Sequence, residues 1–182
     1  MILYSNIRGL NSKSDSLEIN ANICKANIVV LNEHHVTGKN KVEIKGYTSF
    51  SRNRIDKEDG GVAIAVDETN QDACVRTVVG DNEDEFIIVR NERFDPAICI
   101  MTIYGEQESR TNKNDLEERW FRIQKEIHKV LVSGDALIVM GDLNKKIGND
   151  MWGVKGNHRA VSYTHLRAHE TSLHLVCRLL LE

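Results

Sequence analysis

Short apolar runs of strand length, each closed by turn residues, punctuate this chain from end to end: "MILYSNI", "NIVVLNE", "GYTSFSRN", "GGVAIAVD", "ACVRTVVG", "EFIIVRNE", "AICIMTIYG" and "ALIVMGDLN". Helical periodicity is scarce beside them, so the core of such a chain must be built from sheets. "NIVVLNE" is a continuous β-branched run, the pattern of a strand covered on both faces. "GYTSFSRN" and "GGVAIAVD" read as a strand pair, with Gly60 and Gly61 serving the turn into the second. The next three runs follow in quick succession as a meander, and meanders are antiparallel. Two segments read as helices. "SLEINANICKA" offers Leu17, Ile19 and Ile23 as a weak apolar face. "LEERWFRIQKEIHKVLV", capped by Asn114 or Asp115, aligns Leu116, Trp120, Ile123, Ile127, Val130 and Leu131. The expectation is an α/β chain with a mostly antiparallel or mixed sheet and few helices.

Residues 161–182, "VSYTHLRAHETSLHLVCRLLLE", stand apart. On a helix His165, His169 and Cys177 would nearly align and imitate a zinc site, but a second pair of spaced ligands is lacking. Back-translated, this stretch resembles a transposase-type sequencing adapter. It is therefore read as a non-native tail and excluded from the fold, leaving 1–160 as one incomplete domain. The formal net charge is -3, and Arg167 and Arg178 offset Glu170 and Glu182, so the balance holds without the tail. That balance argues against a strongly basic nucleic-acid glove but leaves room for a local basic patch. Cys24, Cys74 and Cys99 form no spaced framework, which favours a reducing compartment. With no apolar run of about eighteen residues and no signal pattern at the amino end, the expectation is a soluble, intracellular protein without membrane contact.

Polar residues at the ends of buried strands are where chemistry is expected, because rigid strands aim them into a common cleft. "YSNIRGL" places Asn6 at one strand end, "VVLNEHH" places Glu33 at another, and "IVMGDLN" delivers Asp142 and Asn144. "TIYGEQ" adds Tyr104. The set combines a carboxylate for a hard cation, a second to orient a nucleophile, two amides and a phenol. Magnesium prefers oxygen ligands and keeps several waters, so one or two carboxylates plus substrate phosphate oxygens suffice for metal-assisted phosphodiester hydrolysis. Each residue taken singly has a plainer reading: Asn6 as a loop cap, Asp-Leu-Asn as a turn, Tyr104 as half-buried packing. Their company reverses those readings.

The ordered series "SNIRGLN", "VVLNEHH", "DGGVAIAV", "TIYG" and "VMGDLNKKIG" resembles the endonuclease/exonuclease/phosphatase superfamily over nearly all of residues 1–160. Within it the chain looks most like the apurinic-type endonuclease domains that accompany reverse transcriptases in LINE-type retroelements. The resemblance implies a four-layered α/β sandwich of two mostly antiparallel sheets with outer helices, truncated here at the C-terminus. It implies a nuclease that nicks DNA with Mg2+, or Mn2+ as the alternative, and a reverse transcriptase covalently linked or associated in the parent protein. Glu33 matches the metal-binding glutamate and Asn6 the asparagine beside it. Asp142 matches the aspartate that orients or deprotonates the attacking water, Asn144 its amide partner, and Tyr104 the tyrosine that contacts the phosphate. Lys145 and Lys146 flank the expected cleft as weak candidates for backbone contact, as does Lys155.

The departures from that pattern matter too. A further asparagine, a second acidic residue and a closing Ser-Asp-His are implied by the resemblance but not identifiable, so impaired activity is expected. His34 and His35 are read as site-adjacent or solvated rather than catalytic. Arg52, Arg54 and Lys57 suit phosphate contact and a solvated loop equally well. A phosphatase or sphingomyelinase-like phosphodiesterase on the same scaffold, and a non-catalytic binding domain, stand as alternatives.

Overall fold

A computed structural model of the chain describes residues 1–54, 60–69, 74–79, 85–105, 113–142 and 175–180. In it the apolar runs become two sheets. The first contains β1 (Ile2–Asn6), β2 (Ile28–Asn32), β3 (Tyr47–Arg52) and β4 (Val62–Asp67), in the order β1-β2-β4-β3. The second contains β5 (Cys74–Val79), β6 (Glu85–Asn91), β7 (Ile98–Tyr104), β8 (Ala136–Asp142) and β9 (Leu175–Leu180), in sequential order. Helix α1 (Ser14–Ile23) joins β1 to β2, and α2 (Lys113–Val130) lies between β7 and β8.

Three apolar clusters show the layering. Leu17 and Ala21 of α1 pack on Val29, Leu31, Ala63 and Ala65, which share one face of the first sheet. The opposite face, with Val30, Val62, Ile64 and Val66, meets Ile87, Val89, Ile100 and Met140 of the second sheet. On the far side of that sheet, Phe86, Ile88, Met101 and Ile103 receive Ile123 and Val130 of α2. The order is helix, sheet, sheet, helix, as expected. Period-two alternation explains why all five positions of β2 are buried: Val29 and Leu31 go one way, Ile28 and Val30 the other. Each such side chain contributes roughly 1.5–3 kcal/mol by burial, which is why the strand tolerates no polar interruption before Asn32.

Both sheets are mixed. The β3–β4 pair and the β5-β6-β7 meander are antiparallel as expected, but β1–β2 and β7–β8 run parallel. Each parallel pair is spanned by one of the two helices, the connection that parallel strands require. The consequence is geometric: Asn6 pairs in register with Asn32, and Tyr104 with Asp142, so the motif-bearing strand ends gather at one edge of the sandwich.

The helices correct two readings. In α1 the buried residues are Leu17 and Ala21, while Ile19 and Ile23 are exposed. Helix α2 begins at Lys113, ahead of both expected caps, and Trp120 is exposed rather than in the core face that Ile123 and Val130 occupy. Beside it on the helix, Arg119 is buried, and its Nη2 donates to the Tyr104 carbonyl at 3.0 Å. Within residues 161–182, β9 pairs antiparallel with β8, with Cys177 opposite Val139. An apolar strand-forming run beside an unpaired edge will add to it whatever its origin. His165 and His169 lie outside the described residues, and Cys177 sits on a strand rather than a helix. Among the described residues no helix is long and apolar enough to cross a membrane.

Candidate active site

Past Asn32 the chain leaves β2 in a left-handed turn: Glu33 has φ 55° and His35 φ 56°. This conformation costs about 1–2 kcal/mol for a residue with a Cβ, so surrounding contacts must impose it. They do so from two sides. The Glu33 carbonyl accepts from Gly9 N at 2.8 Å and the His34 carbonyl from Leu10 N at 2.9 Å, while His35 N donates to Gly60 O at 2.9 Å. Glu33 is thereby turned toward the end of β1.

There the Asn6 amide joins the two carboxylates. Its Nδ2 donates to Glu33 Oε1 at 3.0 Å and to Asp142 Oδ2 at 3.3 Å. One side chain thus ties the first motif to the second and to the last, which lies 136 residues away. Asn6 Oδ1 is buried and has no hydrogen-bond partner among the described residues. Arg8 Nε and His35 Nε2 lie 3.9 and 4.0 Å from Glu33 Oε2, so a guanidinium and an imidazole flank the cluster. A buried amide oxygen left over beside a carboxylate is the donor chemistry a hard cation takes, so Glu33 and Asn6 fit what such a cation would need of the protein. The described residues contain no group of three or more His, Cys, Asp or Glu placed to hold a metal by themselves.

Tyr104 is the register partner of Asp142 on the neighbouring strand, and the Asp142 carbonyl accepts from Gly105 N at 2.6 Å. The structure therefore brings Asn6, Glu33 and Asp142 into contact and sets Tyr104 beside them. Asn144, Lys145, Lys146 and Lys155 lie outside the described residues, as does Lys57.

Two residues that strand-end reasoning passed over belong here. Tyr4, two residues before Asn6, projects from β1 on the same side and packs between the sheets. Burial pushes its phenol above the usual range, and the Asp142 and Glu33 carboxylates push it further, so it stays a neutral hydroxyl. Strand alternation counted back from Asn6 would have found it. Asn32, fully buried, donates from Nδ2 to Ile103 O at 2.8 Å and accepts from Thr102 Oγ1 at 2.7 Å. It bolts β2 to β7 directly beneath the site, and its signal was a polar residue ending an all-apolar run.

The two histidines part company. His35 is site-adjacent, as expected. His34 is not solvated: it is buried, its Nδ1 accepts from Val36 N at 3.0 Å, and its ring fills the space above Gly61. A Cβ on Gly61 would come within 2.6 Å of His34 Nε2, and Gly61 has φ 86°, so both the ring and the backbone require glycine there. Burial lowers the His34 pKa from its ordinary 6.5 to about 4, against the raising effect of backbone hydrogen bonds to Arg52 and Val62. A depressed folded pKa means that this contribution to stability is complete above pH 6.5 and is lost as pH falls toward 4. Between pH 7 and 4.5 the expected loss is roughly 2 kcal/mol by the linkage relation. Urea unfolding at pH 7 and 4.5 should show it, and His34→Asn, which keeps an acceptor for Val36 N, should flatten the pH dependence. Equal slopes for the two proteins would contradict this origin.

No family model and no curated protein matches the chain. Solved structures do. An AP endonuclease from Archaeoglobus fulgidus is similar at 18% identity and TM-score 0.59, with 79% of this chain and 56% of that one covered. The endonuclease domain of TRAS1, a telomere-specific non-LTR retrotransposon, is similar at 19% identity and TM-score 0.52, covering 80% and 59%. D. rerio TDP2 complexed with a single-strand DNA product is similar at 16% identity and TM-score 0.54, covering 80% and 60%. The chain thus spans less than two thirds of the length of each. At such identities the likeness is one of fold alone: the chain shares with these structures an architecture of two facing sheets between outer helices.

Proposed function

We propose that the chain is a divalent-metal-dependent phosphodiester hydrolase that nicks DNA, as the endonuclease part of a retroelement protein working with a reverse transcriptase. The observation that carries this reading is the Asn6 amide shared between Glu33 and Asp142. It holds one carboxylate for a cation and keeps a second, separate one within reach of a nucleophile. The DNA product in the TDP2 complex and the retrotransposon origin of TRAS1 support the choice of substrate and context.

In this mechanism Glu33 and Asn6 would hold Mg2+, or Mn2+ in its place, and the ion would supply positive charge to offset the negative charge developing on the phosphate. Asp142, aligned by the Asn6 amide, orients the attacking water and accepts its proton. Tyr104 donates its phenol hydrogen to a phosphate oxygen, Asn144 adds an amide contact, and Lys145 and Lys146 meet the DNA backbone. Reduced turnover belongs to the same proposal, because the sequence shows neither the second acidic residue nor the Ser-Asp-His that the resemblance implies.

The experiment is a substrate comparison with the chain in excess: supercoiled plasmid, a sphingomyelin vesicle and an inositol phosphate, each with Mg2+ and with EDTA. Conversion of plasmid to open circles in Mg2+ alone is the expected result. Faster turnover of the vesicle or the inositol phosphate would transfer the site to the phosphatase or sphingomyelinase-like reading.

A further inference from the structure

Arg54 has a more definite place than a solvated loop would give it. Its Nε is bonded to Glu85 Oε1, and the guanidinium carbon lies 5.4 Å from the centre of the Tyr104 ring, on its face. Glu85 is the cross-strand partner of Tyr104 on β6, so carboxylate and phenol ring rise side by side from adjacent strands. The second Glu85 oxygen accepts from Gly61 N at 3.2 Å. Arg54 is 25% and Glu85 14% exposed in their side chains, so the pair is mostly withdrawn from water.

The backbone is shaped to admit this arginine. Gly60 has φ 95°, and a Cβ there would come within 2.6 Å of Arg54 Nε and 2.7 Å of Cζ. Thr37 and Arg54 form an isolated bridge, and the Arg54 carbonyl accepts from Gly38 N at 3.4 Å. A strand end and a glycine loop of the first sheet are thus fastened to β6 and β7 of the second, at the edge where the site lies. A planar cation on the face of a phenol restrains the ring, since the attraction falls off as the ring turns edge-on.

We propose that Arg54, locked by Glu85, is a positioning residue for Tyr104: it fixes the ring so that the phenol meets the substrate phosphate in one orientation. This rests on the phosphodiesterase reading of the site, with Tyr104 as the phosphate contact. Arg54 acts through Tyr104, so its loss should matter only while the phenol hydroxyl is present.

The test is a double-mutant cycle on the full chain, with Arg54→Gln and Tyr104→Phe made singly and together and single-turnover plasmid nicking measured in Mg2+. Arg54→Gln is expected to slow cleavage about tenfold with DNA binding little changed, to recover in part in Arg54→Lys, and to have no further effect in Tyr104→Phe. Multiplying effects would overturn the proposal and make Arg54 an independent contact to DNA. A second measurement holds whether or not DNA is cut: the ring signals of Tyr104 in an NMR spectrum of 13C-tyrosine protein, assigned by their loss in Tyr104→Phe. They should move and broaden in Arg54→Gln and in Glu85→Gln, while those of Tyr47 stay. Unmoved Tyr104 signals would refute the positioning role, whereas moved signals without any nicking by the parent chain would refute the phosphodiesterase reading alone.

Discussion

Asp142→Asn is expected to reduce magnesium-dependent nicking at least about a hundredfold while leaving the unfolding midpoint nearly unchanged. The substitution keeps the shape of the side chain and one oxygen to accept from Asn6 Nδ2, now 3.3 Å away, so the strand ends stay joined. What it removes is the negative charge that draws a proton from water. Glu33→Gln should match it in activity but for another reason, because an amide is a poorer ligand for a hard cation than a carboxylate. The two are separable by metal titration: excess Mn2+ should restore part of the Glu33→Gln rate and none of the Asp142→Asn rate. Equal rescue would mean that both carboxylates serve the metal.

The largest expected effect on stability falls next to the site, at Gly141→Ala. A Cβ there would overlap the carbonyl oxygen of Ile103 and come within 3.0 Å of its carbon and its Cγ2. Ile103 is the register partner of Gly141 in the parallel β7–β8 pair and is itself buried. The obstacle is backbone rather than a flexible side-chain end, so relief requires the two strands to part. Overpacking of this kind costs about 3 kcal/mol or more, and here it would also disturb Asn32, whose amide donates to that same carbonyl at 2.8 Å. Denaturant unfolding should show the loss directly, and a midpoint equal to that of the parent would contradict the placement of β8.

The site was legible where strand periodicity and polar chemistry coincide. Asn6, Glu33 and Asp142 could be named because each ends an apolar run, and their convergence followed once β1–β2 and β7–β8 were parallel. The parallel pairs themselves were not legible, since a buried run looks the same whichever way its neighbour runs. The burial of His34 was hidden because a histidine next to a strand end reads as polar, and only Gly61, whose Cβ position the ring occupies, shows otherwise. The seat of Arg54, against Gly60, was hidden because it depends on Glu85, a residue with no sequence signature of its own. Trp120 failed as a core residue because helical periodicity assigns a stripe but not how deeply its edge is buried: Trp120 is exposed while its neighbour Arg119 is buried.

The central claim is that Asn6, Glu33 and Asp142 form one metal-dependent hydrolytic centre. Its most direct test is the rate at which this chain, in excess, converts supercoiled plasmid to open circles in Mg2+, beside EDTA and beside Asn6→Ala and Glu33→Gln at equal concentration. The account predicts nicking in Mg2+ that EDTA abolishes and that both variants lose at least in large part. Nicking that survives in both variants, or that proceeds equally in EDTA, would contradict it.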